Sequence, residues 1–171
     1  LPLDSCVATG MALDEIEKLV KSGAIDINSR KGHLTYLQDA VSSGASEKAI
    51  RFLFRMGARP DEVPEPMPED TPEDREYSSR PPLVMLLDIV SQTVPEADDC
   101  SADEQLNALR LLLEQGATPQ PFPSEWASPE IRKAAEEIYK KAFSFLILGI
   151  NFFRNGVITA QRCPQRRESR R

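Results

Sequence analysis

Three stretches of this chain carry apolar residues at helical spacing and stop at the same dipeptide. Ile16, Leu19 and Val20 precede Gly23-Ala24; Ile50, Leu53 and Phe54 precede Gly57-Ala58; Leu109, Leu112 and Leu113 precede Gly116-Ala117. Apolar residues at i, i+3 and i+4 mark one face of a helix, and a glycine just past its end suits the left-handed position that closes it. A second pattern precedes each stretch. Leu3 to Gly10 and Leu37 to Gly44 both read as Leu, two polar residues, two small or apolar residues, then Gly seven after the Leu. This predicts a short first helix whose Gly turns the chain into the second. Small residues at Cys6, Val7, Ala40 and Val41 let such a helix pack closely. A third copy opens at Pro81-Pro82-Leu83-Val84-Met85-Leu86-Leu87.

The copies are in register. Gly23 and Gly57 lie 34 residues apart, and each of the first two copies runs 20 residues from its Leu to its closing Gly. In the third copy Leu83 to Gly116 is 33 residues, the mark of an insertion between its helices, and a further insertion lies in the loop before it. A fixed period of this size means units that bury their apolar faces by stacking. Helical pairs are predicted at about 3–22, 36–56 and 83–115.

The pattern resembles the ankyrin repeat, with its Thr-Pro-Leu-His opening, mid-unit Gly and terminal Gly-Ala. The best copy reads Thr35-Tyr36-Leu37-Gln38-Asp39-Ala40-Val41-Ser42-Ser43-Gly44, followed by Ile50 to Ala58; the first closes with Gly23-Ala24-Ile25-Asp26-Ile27-Asn28. The family His is Asp4, Gln38 and Val84 here, and the third copy lacks the mid-unit Gly. The resemblance covers roughly residues 1–120. A tetratricopeptide array shares the 34-residue period, but its Trp, Tyr and Pro positions are missing. The resemblance implies an all-α, ankyrin-like helical-hairpin solenoid with long acidic loop insertions and a C-terminal capping helix. Its units are expected at about 1–30, 31–63 and 77–120.

Charge then separates loops from scaffold. The chain has 171 residues and a net charge of −6, and Asp61 to Glu76 holds eight acids against one Arg, with Pro64, Pro66, Pro68 and Pro72 among them. Such a stretch reads as an extended, flexible loop. Pro95 to Glu104 adds five acids, and Ser101-Ala102-Asp103-Glu104 then reads as a capped helix start. An acidic surface of this kind argues against a nucleic-acid partner. Cys6, Cys100 and Cys163 are too few and too scattered for a disulfide framework or metal motif, which favours a reducing compartment, cytoplasmic or nuclear. Leu1 already sits inside a repeat, so the chain is expected to be a piece of a longer array.

Past Gly116-Ala117 the repeat stops. Ser128-Pro129-Glu130-Ile131 is a helix start with a capping Ser and Pro in the first turn. Ile131, Ala135, Ile138 and Ala142 trace one face, and Glu136–Lys140 and Glu137–Lys141 are i, i+4 pairs on another. A cap helix is expected over 128–153, with Trp126 plugging the junction. Ala142 to Phe153 is uncharged and apolar nearly all round, too short to cross a bilayer as a helix. Three roles are open to it: burial against the cap helix or a partner, a weak interfacial anchor beside the basic tail 154–171, or a ragged chain end. The tail is expected to be disordered.

Candidate chemistry is sparse. His33 is the only histidine, so no His pair or His-based triad with a second imidazole can form; no phosphate-binding Gly-rich loop occurs; and the clustered acids lie in Pro-rich loops. No catalytic residue, metal ligand, cofactor or small-molecule substrate is expected. The reading is a non-catalytic module that binds another protein; the alternative is a membrane-peripheral or regulatory segment acting through the apolar C-terminal stretch and the arginines. The ankyrin resemblance implies a binding surface on the finger loops and first helices. Carried over by position, it comprises Arg30, Lys31, His33, Leu34, Ser42 and Ser43 in the second unit and Tyr77, Arg80 and Asp88 in the third.

Overall fold

Each Gly-Ala stop closes its helix with the same pair of hydrogen bonds. The Gly N–H donates to the carbonyl three residues back and the Ala N–H to the one five back: Gly23 to Val20 and Ala24 to Leu19, Gly57 to Phe54 and Ala58 to Leu53, Gly116 to Leu113 and Ala117 to Leu112, all at 2.9–3.1 Å. All three glycines adopt the left-handed conformation (φ 74°, 93° and 88°), which an L side chain resists and which leaves these helix ends satisfied.

The structure is a computed structural model that describes residues 10–44, 47–94 and 102–156, with side chains over 14–44, 47–94 and 102–144. The described chain is mostly helical. Its elements are α1 (Gly10–Lys21), a two-stranded hairpin of β1 (Arg30–Lys31) and β2 (Leu34–Thr35), α2 (Tyr36–Ser42), α3 (Glu47–Arg55), α4 (Pro72–Ser78), α5 (Pro82–Gln92), α6 (Ala102–Glu114) and α7 (Pro129–Gly156). The hairpin is antiparallel, pairing Arg30 with Thr35 and Lys31 with Leu34.

Two helix pairs lie side by side. Within each pair α2 packs on α3 and α5 on α6; between them α2 packs on α5 and α3 on α6, while α7 closes against α6 and α5. Leu37, Ile50, Leu53, Leu83, Leu87, Leu109 and Leu112 are fully buried and form one core, to which α7 adds Ile131, Ala135, Ile138 and Tyr139. Trp126 is half-buried against this core, edge-on to Phe122 at 5.6 Å, where the sequence placed a junction plug. Ser128 starts α7 as expected, its hydroxyl accepting from the Ile131 amide at 3.3 Å.

Side chains repeat a second link between units. Asn28, five residues after Gly23, donates from Nδ2 to the Gly57 carbonyl (3.1 Å) and accepts from the Arg59 amide (2.8 Å). Asp61, four residues after Gly57, accepts from the Thr118 amide (3.0 Å) and hydroxyl (2.6 Å). In both cases a polar side chain just past one Gly-Ala stop holds the backbone or side chain just past the next.

Several expectations need correction. Leu19 is 38% exposed, outside the core that holds Leu53 and Leu112. At 100° per residue Leu19 and Val20 fall on opposite sides of Ile16, and α1 turns Ile16 and Val20 inward, leaving Leu19 at the rim. The segment Asp61 to Glu76 is not a flexible loop throughout. Thr71 and Asp74 form a capping box that starts α4, and Asp70 is buried. Glu136 pairs with Arg132, one turn earlier, at 3.1 Å rather than with Lys140. The apolar stretch from Ala142 continues α7 to Gly156, so it does not fold back on the cap helix, and the helix passes the expected boundary at 153. No proline or glycine separates the two parts before Gly149, so nothing stops the helix. The expected first helix of the first unit, the loop around Cys100 and residues 157–171 lie outside the described residues.

Candidate interaction surface

The hairpin projects Arg30 and His33 onto the acidic segment between the two helix pairs. Arg30 forms a two-pronged ion pair with Asp70, one prong at 2.7 Å, with the Asp70 side chain only 1% exposed. A bidentate guanidinium–carboxylate pair is among the strongest directional polar contacts available. Arg30 also donates to the Glu65 carbonyl at 3.0 Å. The second Asp70 oxygen accepts from the Met67 amide at 2.7 Å. The Arg30 guanidinium, aided by the Met67 amide, holds the Asp70 carboxyl well below the usual carboxylate range, although burial opposes this; the Arg30 guanidinium is pushed above its ordinary value in turn.

His33 stands at the edge of this cluster, its side chain 56% exposed. Its Nδ1 lies 3.2 Å from Asp70 Oδ1 and 3.3 Å from Arg30 Nη2. Protonated there it donates to Asp70; unprotonated there it accepts from Arg30. Asp74 Oδ2 is 4.0 Å away. The Thr71 hydroxyl and amide, hydrogen-bonded to Asp74, hold that carboxyl low as well.

Gln38 connects the two helix pairs at the same place. Its side chain is fully buried. Its Oε1 accepts from the Thr35 amide at 2.9 Å, completing the cap of α2, and its Nε2 donates to the carbonyls of Ser78 and Arg80, both at 2.8 Å. One side chain thus starts α2 and ties it to the joint between α4 and α5.

The residues singled out from the sequence divide into three groups. Arg30, Lys31 and His33 are gathered at the hairpin, but Arg30 is spent on Asp70, and Lys31 pairs with Asp39 at 2.9 Å while lying over the Tyr36 ring. Leu34 is half-buried and packs on the core. Tyr77 and Arg80 sit at the α4–α5 joint; Tyr77 is 45% exposed, and Arg80 pairs with Asp88 of α5 at 3.0 Å. Ser42 and Ser43 are apart from both groups, at the far end of α2, where the Ser42 hydroxyl donates to the Asp39 carbonyl. Sequence reasoning missed Gln38, Asn28, Asp61 and Asp70. Gln38 was legible as a departure from the His of the repeat that the sequence resembles, and Asn28 as part of the close of the first Gly-Ala copy. Asp70 carried no signal, since it is one acid among eight in its run.

A concavity of about 950 Å³ runs beside α1, α3 and α6, lined by Arg51, Phe52, Arg55, Glu104, Leu111 and Gln115 among others. Charges of both signs line it, and Arg55 stacks over the Phe52 ring at 5.5 Å. Among the described residues no group of three or more His, Cys, Asp or Glu is placed to hold a metal ion, and no helix is long and apolar enough to cross a membrane. Compared with protein-family models, curated proteins and solved structures, the chain matches none of them.

Proposed function

We propose that this chain is a non-catalytic protein-interaction module, built as a short ankyrin-like array of stacked helix pairs that presents its hairpin and first-helix edge to another protein. One observation carries the reading: the same side-chain link recurs between successive Gly-Ala stops, Asn28 to Gly57 and Arg59, then Asp61 to Thr118. Units joined in this way bury their apolar faces against each other and leave one edge free along the stack. Rigid elements then display the edge, so a partner meets a surface that needs little ordering on binding.

Within this proposed edge the residues expected from the sequence play different parts. Arg30 belongs to the scaffold of the edge, because its guanidinium is committed to Asp70. His33, Ser43 and Tyr77 remain outward. Tyr77 is the strongest anchor for a partner, since exposed tyrosines give large contact area at small entropy cost.

The test uses a partner isolated by affinity capture on the whole chain and then purified for titration. Tyr77→Ala combined with Ser43→Arg is expected to weaken that partner while leaving the melting curve within about half a kcal/mol of the parent, as exposed substitutions do. Unchanged binding in this variant, with binding lost on removing residues 142–171, overturns the reading and moves the function to the C-terminal stretch.

A further inference from the structure

Between the two helix pairs the chain runs Glu62-Val63-Pro64-Glu65-Pro66-Met67-Pro68-Glu69. Every second residue from Pro64 to Pro68 is proline. Each proline fixes its own φ near −65° and forces the residue before it into extended backbone. Val63, Glu65 and Met67 are those residues, so three of the five residues over 63–67 are driven extended by covalent structure and the two prolines between them have φ fixed. The structure has neither helix nor strand over Glu62 to Met67.

The segment is also fixed from below. Arg30 donates to the Glu65 carbonyl (3.0 Å), and Arg75 donates to the carbonyls of Met67 (3.2 Å) and Pro68 (3.3 Å). The Met67 amide donates to the buried Asp70 carboxylate, and Pro64 is buried. Pinned at these points, the strip turns Val63 (36% exposed) and Met67 (42% exposed) to solvent, with Glu65, Pro66, Pro68 and Glu69 exposed around them. Six large apolar side chains are exposed among the described residues, and Val63 and Met67 of this strip are two of them. A core-forming loop would turn such side chains inward.

We propose that residues 62–69 are a displayed recognition strip for a partner domain whose groove is lined by aromatic side chains and rimmed by lysine or arginine. Strand addition fits poorly as the mode, because Pro64, Pro66 and Pro68 offer no N–H along one edge, while on the other the Glu65 carbonyl and the Met67 N–H are already taken. What the strip offers is the Pro66 and Pro68 rings, two apolar side chains and carboxylates. Aromatic grooves take proline-rich extended segments through their ring faces, and the cations answer Glu65 and Glu69. Because the strip is already extended and anchored, little ordering entropy opposes its capture. This inference goes beyond the edge surface proposed above and rests on different residues.

The experiment titrates the whole chain against a panel of purified isolated domains that bind polyproline-type ligands, of the SH3, WW and EVH1 classes, followed by calorimetry. At least one domain is expected to bind, more weakly as salt rises. The double variant Pro66→Ala with Met67→Ala is expected to weaken that domain by at least about tenfold, with an unchanged melting temperature. The variant Tyr77→Ala with Ser43→Arg serves as the control for the edge surface. Failure of every panel member to bind, or equal binding by the strip variant, overturns the proposal. Loss of binding in the edge variant alone also overturns it while leaving the interaction-module reading in place.

Discussion

Asp70 is an acid removed from water with its charge intact, which is costly unless cations and N–H groups surround it. Arg30, the Met67 amide and His33 do so here. Because these partners depress the carboxyl in the folded state, its contribution is present above the unfolded value of about 3.9 and lost as pH falls below it. Thermal melts are therefore expected to decline from roughly pH 4 downward. Asp70→Asn should lower Tm at pH 7 and flatten that acid decline; a melting curve that Asp70→Asn leaves unchanged at pH 7 contradicts the assignment. Gln38 is the neutral counterpart. Gln38→Ala strands the Thr35 amide and two carbonyls inside the protein, at an expected cost of about 1–3 kcal/mol by denaturant titration. A loss below a few tenths of a kcal/mol would mean water replaces the amide.

At the scale of elements, the helices were legible and the ties between them were not. The i, i+3, i+4 stripes and Gly-Ala stops marked α3 and α6, because an amphipathic face and a left-handed closing residue are local properties. The capped start at Ser128 was visible for the same reason. Leu19 was misjudged because its stripe matches the others, while its burial depends on what lies beside α1. The acidic segment was misjudged because composition reports average behaviour, and the burial of Asp70 depends on contacts such as that of an arginine 40 residues away. That revises what its removal does. Replacing residues 64–76 by a Gly-Ser linker removes the partner of Arg30, so the melting temperature should fall clearly, whereas loop closure alone predicts almost no change. Leu53, fully buried in α3 between its neighbours, sets the core scale: Leu53→Ala should cost about 2–5 kcal/mol, read from chemical denaturation. A cost under about 1 kcal/mol would show that the core does not close around α3.

For the whole molecule, the proposed array makes the order of the units matter more than any one of them. Asn28 and Asp61 sit at successive junctions, and removing either should loosen the stack at its own junction first. The edge they align carries the hairpin, α2 as far as Ser43 and the α4–α5 joint, and Gln38 ties the start of α2 to that joint. The candidate surface was half legible in the sequence. Position within the resembled repeat pointed to Tyr77 and His33, but the commitment of Arg30 depends on a contact that no local pattern encodes. The central claim is that this edge meets another protein, and hydrogen–deuterium exchange of the whole chain, alone and saturated with its purified captured partner, tests it most directly. The account predicts slowed exchange over residues 30–43 and 72–88 with the rest unchanged; slowing confined to residues beyond Ala142 would contradict it.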